Sequence, residues 1–212
     1  MKIFYISIIV LLAAQISFAQ VVQDKDTAKT NTDKKIVKHV DIIPDYPGGQ
    51  AAFAKYISKK LEYPDVALLI GIDGNVVVSF VVERDGSVGH VYPVHCIGAG
   101  CESEAVKVIE GSKKWSPGSQ DGKPVRVQYS IPINFHNPKD QVTLRELRNS
   151  PYGFVFNING ALYTIDEAKD LLGKSFASKD IEIAEPFYNY NNIEKFNMPD
   201  KKEVYLLIFK KS

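Results

Sequence analysis

Four residues able to ligate a metal or form a redox pair fall close together: His90, His95, Cys96 and Cys101. Imidazole and thiolate are the usual zinc ligands, and four of them complete a structural site. The spacing argues against zinc, because His95 and Cys96 are adjacent, which suits few chelate geometries, and the run matches no zinc pattern. The two cysteines have four residues between them in HCIGAGC, two of them glycines. A small disulfide loop closes easily over such a stretch in an exported chain, so a Cys96–Cys101 disulfide is expected. A free redox pair is the rival, without the C-x-x-C spacing of redox enzymes. No metal, no other cofactor and no catalytic residue is expected. The remaining histidines, His39 and His136, are scattered, and no paired carboxylates stand at a recognisable spacing. Asp85 and Ser87, in RDGS, read as turn formers rather than as an acid and a nucleophile.

The chemistry this chain does offer is main-chain hydrogen bonding. Val125, Val127, Tyr129, Ile131, Ile133 and Phe135 alternate with Arg126, Gln128, Ser130, Pro132 and Asn134. Period two puts one face on a core and the other toward water or a partner. Pro132 has no N–H for a ladder, so it marks an edge strand or a bulge. An edge strand carries unpaired N–H and C=O groups to which a second chain can add. Val125, Arg126, Val127, Gln128, Tyr129, Ser130 and Ile131 are the expected partner-binding residues.

Elements at a distance must position that strand. Phe53, Tyr56, Ile57 and Leu61 form one stripe of a helix over 50–61 that follows the PDYPGG break. Pro64 suits the first turn of a short helix over 65–69. Residues 75–83 and 88–94 form a hairpin around Asp85-Gly86. A helix over 102–113 buries Ala105, Val106, Val108 and Ile109, and Trp115 follows it, capping the core under the sheet. The fold class is therefore α+β: an antiparallel sheet of about three strands with helices on one face, plus a second small α+β unit.

The 212 residues carry a formal charge of +1, which leaves no basic surplus to suggest nucleic acid. Residues 1–19 read as a signal peptide cut after Ala19, or as a short membrane anchor. Residues 20–43 read as a disordered polar linker, whose polar part reaches only ~60–70 Å when extended.

Together, PDYPGG, YPDVALLIGIDGNVVVSFVVERDGSV and EAVKVIEGSKKWSPGSQDGKPVRVQYSIPINF resemble the TonB C-terminal domain family in its Bacteroidetes-type form. The resemblance covers residues 44–136. It implies a non-enzymatic protein whose last strand, here Val125 to Phe135, adds to a peptide segment of a TonB-dependent outer-membrane receptor or another envelope protein. The cleavable N-terminus, an apolar run without His and the short linker favour a periplasmic binding module. The alternative is a complete energy transducer, anchored in the inner membrane on its periplasmic side and driven by a proton-powered complex.

Residues 137–150 read as a linker, and 151–212 as a small α+β unit. That unit shows a hairpin around Asn159-Gly160, a helix over 167–172 capped by Asp166, and strands over 180–184 and 203–209. Phe187, Tyr188, Tyr190 and Phe196 sit among asparagines and read as core aromatics with Asn in the turns, although such surfaces also bind sugars or peptides. Two further readings stand beside docking. One is an envelope enzyme or sensor using the C-terminal unit. The other is a homodimer paired edge to edge.

Overall fold

The computed structural model describes residues 36, 37 and 40–211, and Ile36–Ser212 cluster as one compact unit. The expected signal segment, most of the expected linker and His39 lie outside the described residues.

The larger sheet is built on β2 (Gly74–Val82), β3 (Val88–His95) and β5 (Lys123–Phe135). Two short strands, β1 (Ile36–Val37) and β4 (Gly118–Gln120), extend it, and its order is β1-β5-β2-β3 with β4 paired to β5. The three long strands match the expected antiparallel sheet. The two short ones are additions, and β1 runs parallel to β5. β4 and β5 form a tight hairpin, because Asp121 (φ 51°) and Gly122 (φ 70°) supply the two positive dihedrals of a type I′ turn. Pro117, Gly118 and Pro124 are residues typical of loops, so β4 carries no strand signal of its own.

β2 is central, and Val76, Val78, Phe80 and Val82 on its core face are fully buried. Ser79 and Val81 on its other face are buried too. Gln128 covers that face, donating from Nε2 to Ser79 Oγ (3.0 Å) and Tyr92 Oη (2.8 Å). Beside it the Arg126 guanidinium holds Glu83 through two bonds of 2.6 and 2.8 Å. Both faces being shielded explains why β2 is nearly all apolar.

Helices α1 (Gly49–Lys60), α2 (Asp65–Ile70) and α3 (Cys101–Glu110) supply the core side. Tyr56 Oη donates to the Val108 carbonyl (2.9 Å) and so ties α1 to α3. Asn137 is buried. Its Nδ2 donates to the carbonyls of Ala67 (3.3 Å) and Leu68 (3.2 Å) in the last turn of α2, which also accept the N–H groups of Ile72 and Gly71.

The stretch expected as a linker over 137–150 instead carries β6 (Gln141–Thr143) and α4 (Leu144–Asn149). Thr143 and Glu146 close a capping box at its start, and Val142, Leu144 and Leu147 enter the core. Three apolar residues scattered among charges make too weak a period to show this in the sequence. β7 (Gly153–Ile158), β8 (Ala161–Tyr163), α5 (Ile165–Leu172), β9 (Ser175–Ala177), β10 (Ile181–Pro186) and β11 (Val204–Phe209) follow. They form a second sheet of order β10-β11-β7-β8, with β11 parallel to β7, while β9 pairs with β6. The cap of α5 is Thr164, not Asp166. Its hydroxyl accepts the Glu167 N–H while Glu167 reaches back to the Thr164 N–H.

Candidate functional site

β5 has two sides. Toward β2 it pairs without a register shift from Val127 opposite Val82 to Phe135 opposite Gly74. Toward the other side, β1 pairs only at Ile36 with Arg126 and Val37 with Val127. By Asp41 the chain has left β5, and the Asp41 N–H donates to Ser119 O (2.9 Å). Among the described residues no strand covers this side of β5 beyond Val127.

Pro132 lies within the uninterrupted ladder, opposite Val77. A proline fits a ladder where its nitrogen points away from the paired strand, so the Pro132 nitrogen faces the open side. Backbone groups alternate sides along a strand. Gln128 and Ser130 therefore present N–H and C=O to the open side, and Pro132 presents C=O alone. At Pro132 the open side therefore lacks an N–H donor, while Gln128 and Ser130 keep theirs.

The seven expected residues divide accordingly. Val125 pairs with Gly118 of β4, and Arg126 and Val127 lie against β1. The Arg126 guanidinium is already engaged by Glu83, which raises its pKa further above the ordinary value. Gln128 and Ser130 are exposed on one face. Tyr129 and Ile131 are half-buried on the other, where Tyr129 packs edge-on to Phe80 (5.8 Å between ring centres) and Trp115 (5.9 Å).

Beside Tyr129 and Ile131 opens a cavity of about 260 Å³ lined also by Asp45, Tyr46, Gln50, Phe53, Trp115 and Pro132. Trp115 is buried as expected, and its ring lies 5.2 Å from Phe80, 5.3 Å from Phe53 and 5.6 Å from Tyr46. Sequence reasoning missed the wall made by Asp45, Tyr46, Gln50 and Phe53. The signal was the aromatic excess of α1, a helix that nevertheless buries none of its residues fully.

The opposite sheet edge, β3, is irregular. Its register with β2 shifts twice, His90 has φ 51°, and Pro93 stands within it. Such an edge is poorly shaped for a further strand.

The expected disulfide is not formed. Cys96 is an exposed thiol after β3, and Cys101 is a buried thiol that opens α3. Gly98 and Gly100, both at positive φ, turn the chain so that Cys101 faces the core. Burial, then the nearby Glu102 carboxylate, pushes the Cys101 thiol up to about 12. Glu102 itself accepts the N–H groups of Ile97 (2.5 Å) and Gly98 (2.6 Å) and so fixes this turn. His90 and His95 are exposed, and His136 Nδ1 pairs with Asp73 (2.8 Å). Among the described residues no three metal-ligating side chains converge.

Asp85 serves the turn. It accepts from Lys114 Nζ (2.5 Å) and from Ser87 N (3.0 Å) and Oγ (2.6 Å), and these bonds, Lys114 first, hold its carboxyl well below the usual range. In the last third, Phe196 is buried against Phe187 (5.8 Å), whereas Tyr188 and Tyr190 are exposed, so the core reading holds for only half of that aromatic set.

The class these features define is an α+β domain with a regular edge strand, open beyond Val127 among the described residues, beside an aromatic cavity. Residues 59–136 match the family described as Gram-negative bacterial TonB protein C-terminal, and this segment is a TonB C-terminal domain. No curated protein and no solved structure matches the chain.

Proposed function

We propose that this chain is a periplasmic protein-binding module in TonB-dependent energy transduction, docking an extended segment of an outer-membrane receptor along β5. The TonB C-terminal match supports the setting, and its family is non-catalytic. The observation that carries the docking mode is the open side of β5 from Gln128 onward, continuous with a point where a strand already adds in parallel. Strand addition draws affinity from main-chain bonds and selectivity from alternate side chains. Gln128 and Ser130 supply the main-chain groups.

Ser130→Pro tests this, since it deletes an outward N–H and leaves the β2 ladder in place. The probe is the periplasm-facing N-terminal peptide of a TonB-dependent receptor from the same cell. The native protein is expected to bind it with amide shifts at Gln128 and Ser130, and Ser130→Pro to weaken binding about tenfold or more. Unchanged binding by a folded Ser130→Pro protein refutes the docking mode.

A further inference from the structure

We infer that the cavity beside β5 reads the partner: it selects an extended peptide with large apolar side chains at two positions spaced by two, with polar residues between and around them. This rests on the strand-addition reading above.

The inference follows from register. β1 shows how a strand lies on this side of β5, parallel, with Ile36 opposite Arg126 and Val37 opposite Val127. Directly paired residues point to the same face of a sheet. A partner strand continuing in that direction puts one residue opposite Tyr129 and another, two further on, opposite Ile131. Tyr129 and Ile131 line the cavity, so those two side chains enter it. The residue between them falls opposite Ser130, and those flanking them fall opposite Gln128 and Pro132, all on the exposed face.

The lining decides what fits. Tyr46, Phe53, Trp115, Tyr129 and Ile131 make an apolar, mostly aromatic enclosure, and Asp45 and Gln50 are polar groups at its rim. A space of about 260 Å³ accepts a ring or a branched chain. Its wall from Asp45 to Phe53 is the chain leading into α1 and the start of that helix, and it precedes residue 59, where the TonB C-terminal match begins.

The chain's own N-terminal segment is an internal comparison. Counting on from β1 in the same register, the residue that would stand opposite Ile131 is Asp41, and a carboxylate does not suit an aromatic cavity. Asp41 is bonded to Ser119 instead, away from β5.

Trp115 is the single tryptophan of the chain and forms part of the cavity, so its emission reports occupancy. Two synthetic peptides without Trp, sharing one polar frame, are titrated into the whole protein. One carries Phe and Leu two residues apart, and the other carries Ser at both places. The apolar peptide is expected to bind at least about tenfold more tightly, in line with burying one large apolar side chain. It should shift Trp115 emission and the Gln128 and Ser130 amides together. Phe53→Ala keeps a strong helix former in α1 and should weaken only the apolar peptide. Phe53→Leu should restore part of the loss.

Equal binding of the two peptides, with amide shifts but no change at Trp115, overturns the inference and leaves strand addition standing. Binding of the apolar peptide without amide shifts, and indifferent to Ser130→Pro, overturns it by showing a non-strand mode. Failure of both peptides and of the receptor peptide overturns both readings.

Discussion

Gly86→Ala should disturb Trp115 from 29 residues away in sequence. Gly86 sits in the β2–β3 turn at φ +80°, and an added Cβ would lie 2.0 Å from the Trp115 carbonyl oxygen. The same glycine accepts the Trp115 N–H (2.8 Å) and donates to Glu83 O (2.9 Å). Two costs combine. A non-glycine residue in the left-handed region costs roughly 1–2 kcal/mol. The clash is with backbone, so the turn and the Trp115 segment must separate, and losing one of these hydrogen bonds costs about 1 kcal/mol. The total is about 2–3 kcal/mol, or a fall in Tm of roughly 5–10 °C for a unit of this size. Gly122→Ala is the control, because Gly122 has φ +70° with nothing within 4 Å of its added Cβ, so only the dihedral cost applies. Thermal melts followed at Trp115 emission should show Gly86→Ala less stable than Gly122→Ala, with a changed native-state spectrum for Gly86→Ala alone. Equal melting of the two variants with identical native spectra would refute the claim that this turn holds Trp115.

Phe80→Ala removes a fully buried ring that touches Trp115 and Tyr129, and it should cost about 3–5 kcal/mol in denaturant unfolding. Thiol titration of the native protein should show one fast-reacting group, Cys96, while Cys101 reacts only on unfolding; simultaneous fast reaction of both would contradict its burial. Stability should fall at high pH. Folding raises Cys101 from 9.0 to about 12 and Tyr63 from 10.0 to about 12, burial being the first cause in each, so the neutral forms are favoured in the native state. Their contribution is whole below pH 9 and is lost as pH rises from there to about 12. Cys101→Ala would then flatten the alkaline limb of a stability–pH curve, and an unchanged limb would assign it elsewhere.

Period-two alternation along Val125 to Phe135 made β5 legible, and Asp-Gly and Asn-Gly located the turns at 85–86 and 159–160. Helix stripes placed α1 and α3 to within a few residues. These are local signals, carried by neighbours along one element. The β4 hairpin was hidden because Pro117, Gly118 and Pro124 also read as loop. The 137–150 stretch was hidden because Val142, Leu144 and Leu147 are buried in a core shared with elements distant in sequence, not by their own period. The cysteines misled for a related reason: four intervening residues allow a loop to close, but the start of α3 turns Cys101 into the core and leaves Cys96 in solvent.

By itself, then, the sequence determined that a long strand with one apolar face and a mid-strand proline closes a TonB C-terminal domain. Only the tertiary structure decided which side of that strand is open among the described residues, and that α1, Trp115 and Tyr129 line a cavity beside it. The physical reason is range. Alternation is set by the geometry of a single strand, whereas an open edge and a pocket depend on pairings and packings between residues 36 to 53, 115 and 129 to 132, which no local pattern encodes.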